Sequence, residues 1–136
     1  MKANRPRRSS KRAFTLLEMS IVIMVLLALI SVGLNVSTKM DDWKLGRQAS
    51  EVLREVYSAQ RMYLSDNPTK QVNTISAADI LPYMRGAPAS IPTVKSLTGT
   101  QLGIIVNQSP PVINAGSGVV YDPSGKSNDS LWDVGL

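Results

Sequence analysis

Three patterns of apolar and polar positions follow one another along the chain. From Phe14 to Val36 the residues FTLLEMSIVIMVLLALISVGLNV are apolar almost without a break. At 1.5 Å per residue, about 23 such residues cross a ~30 Å hydrocarbon layer. Beyond them Leu45, Ala49, Val52, Val56, Ala59 and Tyr63 recur at spacings alternating between four and three, while Lys44, Arg47, Glu51, Arg54, Glu55 and Arg61 lie mostly on other faces. That is the pattern of an amphipathic helix packed on a domain of its own chain. Neither Pro nor Gly falls between Lys39 and Lys44, so the two stretches predict one helix from near Phe14 to near Ser65, stopped by Asp66, Asn67 and Pro68.

The remainder reads as short elements between turn signals. Residues 68 to 100 are rich in Pro, Ser, Thr and Gly and predict a connecting loop region. One short helix is expected in it, opened by Ser76 and Asp79 as a capping box before Ile80, Leu81 and Tyr83. The last third has β-rich runs at Leu102 to Val106, Val112 and Ile113, Val119 to Tyr121, and Leu131 to Val134. These predict a three- or four-stranded antiparallel sheet whose inner face lies on the apolar stripe of the helix, with Tyr121 and Trp132 as the large anchors. The expected class is α+β. The expected division is a leader at 1–13, a transmembrane half of the helix at 14–36, its amphipathic half at 37–67, the loop region at 68–100, and the sheet of a globular head at 101–136.

Charge changes the picture at the start of the chain. The net charge of +5 points to nucleic acid or acidic lipid only until the charges are placed. Lys2, Arg5, Arg7, Arg8, Lys11 and Arg12 all precede the apolar run with no acid among them, so residues after 13 carry nine basic groups (15 − 6) against ten acidic. A basic leader abutting an apolar span is the cytoplasmic flank that the positive-inside bias requires, which puts the rest of the chain outside. No nucleic-acid partner is expected, although the leader alone would also suit a nuclear-localisation or nucleic-acid arm.

One acid, Glu18, interrupts the apolar run, and no Lys or Arg lies between Phe14 and Thr38 to pair with it. At mid-membrane an acid costs roughly 2.5 to 3.5 kcal/mol, and each Leu, Ile, Val or Phe returns roughly 0.3 to 0.6, so the span inserts regardless. The missing cation appears if the chain is cut after Ala13, because the new α-amine on Phe14 is mostly protonated at neutral pH. Ala13, Phe14, Thr15, Leu16, Leu17 and Glu18, behind a short basic leader and ahead of an apolar helix, resemble the processing site of type IV pilins and the related pseudopilins of type II secretion.

The resemblance implies cleavage between Ala13 and Phe14 by a prepilin peptidase, N-methylation of Phe14, and retention of the helix. It implies that Glu18 pairs with the Phe14 amine of a neighbouring subunit and sets axial register in a filament. The implied partners are further copies, related pilin-like subunits, the peptidase and an inner-membrane assembly platform. The implied location is the bacterial inner membrane and then a periplasmic or cell-surface filament. Ala13 stands where the family usually has Gly, no Pro occurs between Phe14 and Asn67, and the absence of Cys rules out the C-terminal disulfide of many pilins. Packing must hold that end.

Other readings use the same residues. A secretory signal peptide would end at Ser31, Val32 and Gly33, and a signal anchor would keep the span without polymerising. A membrane-anchored binding module is the alternative from another functional class. Enzymatic chemistry has little to draw on, since the chain has no His and no Cys and lacks a phosphate-binding loop or a nucleophile triad. No cofactor is expected apart from one candidate. Asp122, Ser124, Asn128, Asp129 and Asp133 crowd one loop, and such hard oxygen ligands suit Ca²⁺, though the same residues are ordinary turn formers.

Overall fold

Helix α1 runs Leu16–Asp66 in the computed structural model, which describes residues 15–136. The stop falls where Asp66, Asn67 and Pro68 predict it. The carbonyl of Tyr63 accepts from both the backbone N–H of Asn67 at 3.0 Å and its side-chain amide at 2.9 Å, and Pro68 has no N–H with which to continue. The chain divides into two units, Met1–Thr38 and Lys39–Leu136. The second contains the head.

In the head a four-stranded antiparallel sheet has the order β1 (Val94–Lys95), β2 (Gln101–Ile105), β3 (Val112–Gly116), β4 (Val119–Val120). Leu102 faces Val94, Ile113 faces Ile104, and Val120 faces Asn114 across the three pairings. The tight turn into β4 needs left-handed backbone at Gly116, Ser117 and Gly118, which two glycines supply without steric cost. The amphipathic half of α1 packs on this sheet, so the class is α+β as expected. Ala49 and Leu53 of the helix meet Val94, Ile113, Trp132 and Val134 in one core cluster. Further along the helix, Val56 and Ala59 meet Ile75, Ile80, Met84 and Val106 in a second.

Three sequence expectations need correction. The apolar stripe does pack on the core, with Ala49, Val56 and Ala59 buried and Leu45, Val52 and Tyr63 partly so. The buried face also takes in Gly46, Ser50, Leu53 and Gln60, which moves its centre by roughly 60° at 100° per residue. Three of the seven, Gly46, Ser50 and Gln60, are not revealed by hydropathy. Gln60 is buried because its side-chain amide donates to the carbonyls of Val106 and Gln108, both at 2.8 Å. The second correction is β1, which lies inside the region read as loop. The third is Leu131 to Val134, which forms no strand.

That last segment is held by the helix instead of the sheet. The Trp132 backbone N–H donates to the Gly46 carbonyl at 3.1 Å. Arg54 donates to the Val134 carbonyl at 2.9 Å and to the Ser130 hydroxyl at 2.7 Å. The Trp132 ring is 5 % exposed and meets Tyr121 edge-on at 5.2 Å. These contacts fasten the C-terminal segment in a chain that has no cysteine.

At Gly46 the segment lies directly against the helix backbone. A Cβ there would lie 2.9 Å from Trp132 Nε1 and 3.2 Å from Leu131 Cδ2. Helix propensity favours Ala over Gly by about 1 kcal/mol, and overpacking costs about 1–3 kcal/mol, so the contact decides the sign. Gly46→Ala is expected to lower the urea midpoint of the head with an unchanged m-value. A raised midpoint would show that the segment yields freely.

The expected short helix forms as α2 (Ala77–Ile80). The Asp79 carboxylate accepts the Ser76 backbone N–H at 2.8 Å and its hydroxyl at 2.7 Å. These hydrogen bonds, the hydroxyl first, hold the Asp79 pKa below the ordinary carboxylate value. Since the folded pKa is the lower one, the stabilisation is present above the unfolded value and is lost as pH falls through the folded one. By carbon NMR the Asp79 carboxyl should titrate below free aspartate, and Ser76→Ala should move it upward. An unmoved titration would refute the assignment.

Candidate functional site

Every residue from Thr15 to Lys44 is exposed in the isolated chain. The surface is apolar, with Leu16 90 % exposed and the Leu, Ile, Val and Met side chains from Leu17 through Met40 between 47 % and 75 % exposed. A soluble monomer rarely presents so large a continuous apolar patch, so lipid or protein must cover it. By length and composition this helix is able to cross a membrane.

Three of the polar side chains along it donate back to the helix itself. Ser20 donates to the Leu16 carbonyl at 2.8 Å, Asn35 to Ser31 at 2.8 Å, and Thr38 to Asn35 at 3.0 Å. Such back-bonding is what a polar side chain needs in an apolar layer. At the start, the Thr15 hydroxyl accepts the Glu18 backbone N–H at 3.2 Å and caps the first turn. A carboxylate in that turn is favoured by the positive end of the helix dipole.

The Glu18 carboxylate differs from its neighbours. Among the described residues it takes part in no ion pair and accepts no hydrogen bond. Thr15 serves the backbone of the turn and leaves the acid unanswered. Ala13 and Phe14, the expected cleavage and methylation site, lie outside the described residues, as does the whole leader. The structure therefore bears on the acid and on the surface around it.

In the head, the loop considered for calcium folds as linked turns. Asp122 accepts the backbone N–H and the hydroxyl of Ser124 at 3.0 and 2.7 Å, and Asp129 accepts the backbone N–H of Leu131 at 2.9 Å. Asp133 accepts the backbone N–H of Ser130 at 3.2 Å, and Asn128 is exposed. Burial raises the Asp133 pKa, and the nearby Asp129 charge adds to the rise while backbone N–H groups at Gly135 and Ser130 oppose it. Among the described residues no three acidic, His or Cys side chains gather where they could hold a metal. Ser124 draws Asp122 and Asp129 together, whereas Asp133 works as a cap for the turn ahead of Trp132.

A feature the sequence reading passed over lies just past the apolar run. Trp43 is 51 % exposed, and the Arg47 guanidinium carbon sits 5.7 Å from its ring centroid. The i, i+4 spacing of the pair was the available signal. Compared with protein-family models, with curated proteins and with solved structures, the chain gives no match in any of the three.

Proposed function

We propose that this chain is a structural subunit of a type IV pilus-like or type II secretion pseudopilus filament, with no catalytic activity of its own. A prepilin peptidase removes residues 1–13, Phe14 is N-methylated, and the exposed helix passes from the inner membrane into a filament core at an assembly platform. The observation that carries the reading is Glu18, the one charged residue between Phe14 and Thr38 and an acid without a partner among the described residues on an otherwise uncharged, largely apolar helix surface.

The physical argument concerns what distinguishes a filament from lipid. Acyl chains are as apolar as Leu, so moving this surface from bilayer to helix bundle gains little from hydrophobic burial, and packing and polar contacts decide association. An ion pair between Glu18 and the Phe14 amine of an adjoining subunit is formed in one axial register and lost in all others. A slipped subunit leaves two charges buried and unpaired, a penalty of several kcal/mol.

The test is co-expression with a prepilin peptidase and an assembly platform, followed by shearing of the cells and cross-linking between subunits. A filament subunit loses its leader and enters the sheared or cross-linked polymer fraction. A membrane-anchored binding module stays monomeric in the membrane, and that result would overturn the proposal. Pilus and pseudopilus assignments separate on whether deletion abolishes surface fibres or protein secretion.

A further inference from the structure

We propose that the arc formed by Lys39, Met40, Trp43, Lys44 and Arg47 is a lipid-headgroup anchor, which binds anionic phospholipid in the leaflet nearest the head while the subunit resides in the membrane. The inference rests on the membrane-span part of the reading above and is independent of filament formation.

At 100° per residue these five side chains fall within roughly 140° of the helix circumference. Asp41 and Asp42 fall outside it. The arc thus offers three cations, an indole and a thioether with no acid between them. Lys39 and Lys44 are exposed, and Met40 and Trp43 are each 51 % exposed. Lys44 has an ion pair with Asp41 at 3.4 Å, but both partners are more than half exposed, and such a pair is worth only about 0–1 kcal/mol. It does not withdraw Lys44 from a phosphate.

Four of the five arc residues are exposed and Arg47 is partly buried. The buried positions alongside them, Gly46 and Ala49, centre roughly 120° away around the helix, and burial reaches the arc's sector only beyond Arg47, at Ser50. The other tryptophan, Trp132, is buried in the core, so the exposure of Trp43 is a property of its site.

Chemistry identifies the occupant. An indole has an apolar body and one N–H donor, which suits it to the boundary between acyl chains and headgroups. Lys and Arg lay their stems along apolar surface and extend their charges to phosphate. Arg47 already stacks over the Trp43 ring, and its remaining donors stay available to an anion. Lys39 is also the first charged residue after Glu18, so the arc begins where the apolar run gives way to charge. Anionic lipid adds about 1 kcal/mol per Lys or Arg near a membrane surface, or about fivefold per residue.

The experiment uses the full chain reconstituted into phosphatidylcholine vesicles, with and without phosphatidylglycerol, and lipids brominated near the headgroup. Subtracting the emission of Trp43→Phe isolates Trp43, and Trp132 serves as a control for the folded head. The expected result is quenching of Trp43 by bromolipid and protection from aqueous acrylamide, both increased by phosphatidylglycerol. A Lys39→Gln, Lys44→Gln, Arg47→Gln triple variant should lose the phosphatidylglycerol dependence, by about fivefold per cation, with Trp132 emission unchanged.

Trp43 remaining open to acrylamide in both vesicles, with protease protection showing the span inserted, overturns the anchor alone. Trp43 shielded only after polymerisation overturns it in favour of a contact between copies. Failure of the span to insert removes the membrane reading beneath it.

Discussion

Glu18→Val should insert into the membrane at least as well as the natural chain and yet form no filament. Insertion improves because the substitution removes a cost of at most roughly 2.5 to 3.5 kcal/mol, the mid-membrane value, and adds an apolar side chain. Assembly fails because the Phe14 ammonium of one subunit then enters the filament core with nothing to meet. An uncompensated buried charge costs about 3–5 kcal/mol, which is about 10² to 10³-fold or more in the affinity of each contact. Every subunit would repeat the defect, so the expected readout is full loss of the polymer fraction with undiminished membrane-bound protein. Glu18→Gln keeps the shape without the charge and should fail nearly as completely. Normal filaments from Glu18→Val would leave the acid without the assigned role.

The second large effect is on the head. Trp132→Ala should cost about 3–5 kcal/mol, a large part of the 5–15 kcal/mol that keeps an ordinary domain folded. The side chain fills the space between Gly46 and Tyr121, and its backbone stands at φ +66. That conformation is uncommon for a bulky residue and persists because packing and the hydrogen bond to Gly46 over-determine it. Trp132→Phe keeps most of the buried area and should lose far less. The measurement is urea unfolding of the detergent-solubilised chain followed by far-ultraviolet circular dichroism, with α1 upstream of the head as baseline. An Ala variant as stable as the natural chain would mean the C-terminal segment is not fastened as described.

The long helix and its end were legible because they rest on strong local signals: an apolar run, a 3.6-residue period, and Asn67-Pro68. The box at Ser76 and Asp79 was legible for the same reason. β1 was not, since two residues, Val94 and Lys95, carry no periodicity and gain their conformation from pairing with Gln101 and Leu102. The segment Leu131 to Val134 shows why alternation can mislead. Trp132 and Val134 are buried while Leu131 and Asp133 are partly exposed, which is the burial rhythm of a strand. The hydrogen bonds nonetheless run to Gly46 and Arg54, partners some 80 residues distant in sequence. Gln60 was invisible for a related reason: a polar residue reads as surface until the carbonyls it serves are known. At the candidate site, Glu18 stood out from sequence because an acid in an apolar run costs energy, and the absence of an intrachain partner among the described residues fits that reading. The Trp43 arc was missed because its three cations are interleaved with Asp41 and Asp42 along the chain and separate from them only around the helix.

The most direct test of the central claim is the intact mass of the mature protein together with that of its N-terminal peptide. The account predicts a chain that begins at Phe14 and carries a methyl group on its α-amine. Either of two results would contradict it: a chain that begins at Met1, in which Phe14 has no free α-amine for Glu18 to meet, or one that begins at Leu34 after conventional signal cleavage, from which Glu18 itself has been removed.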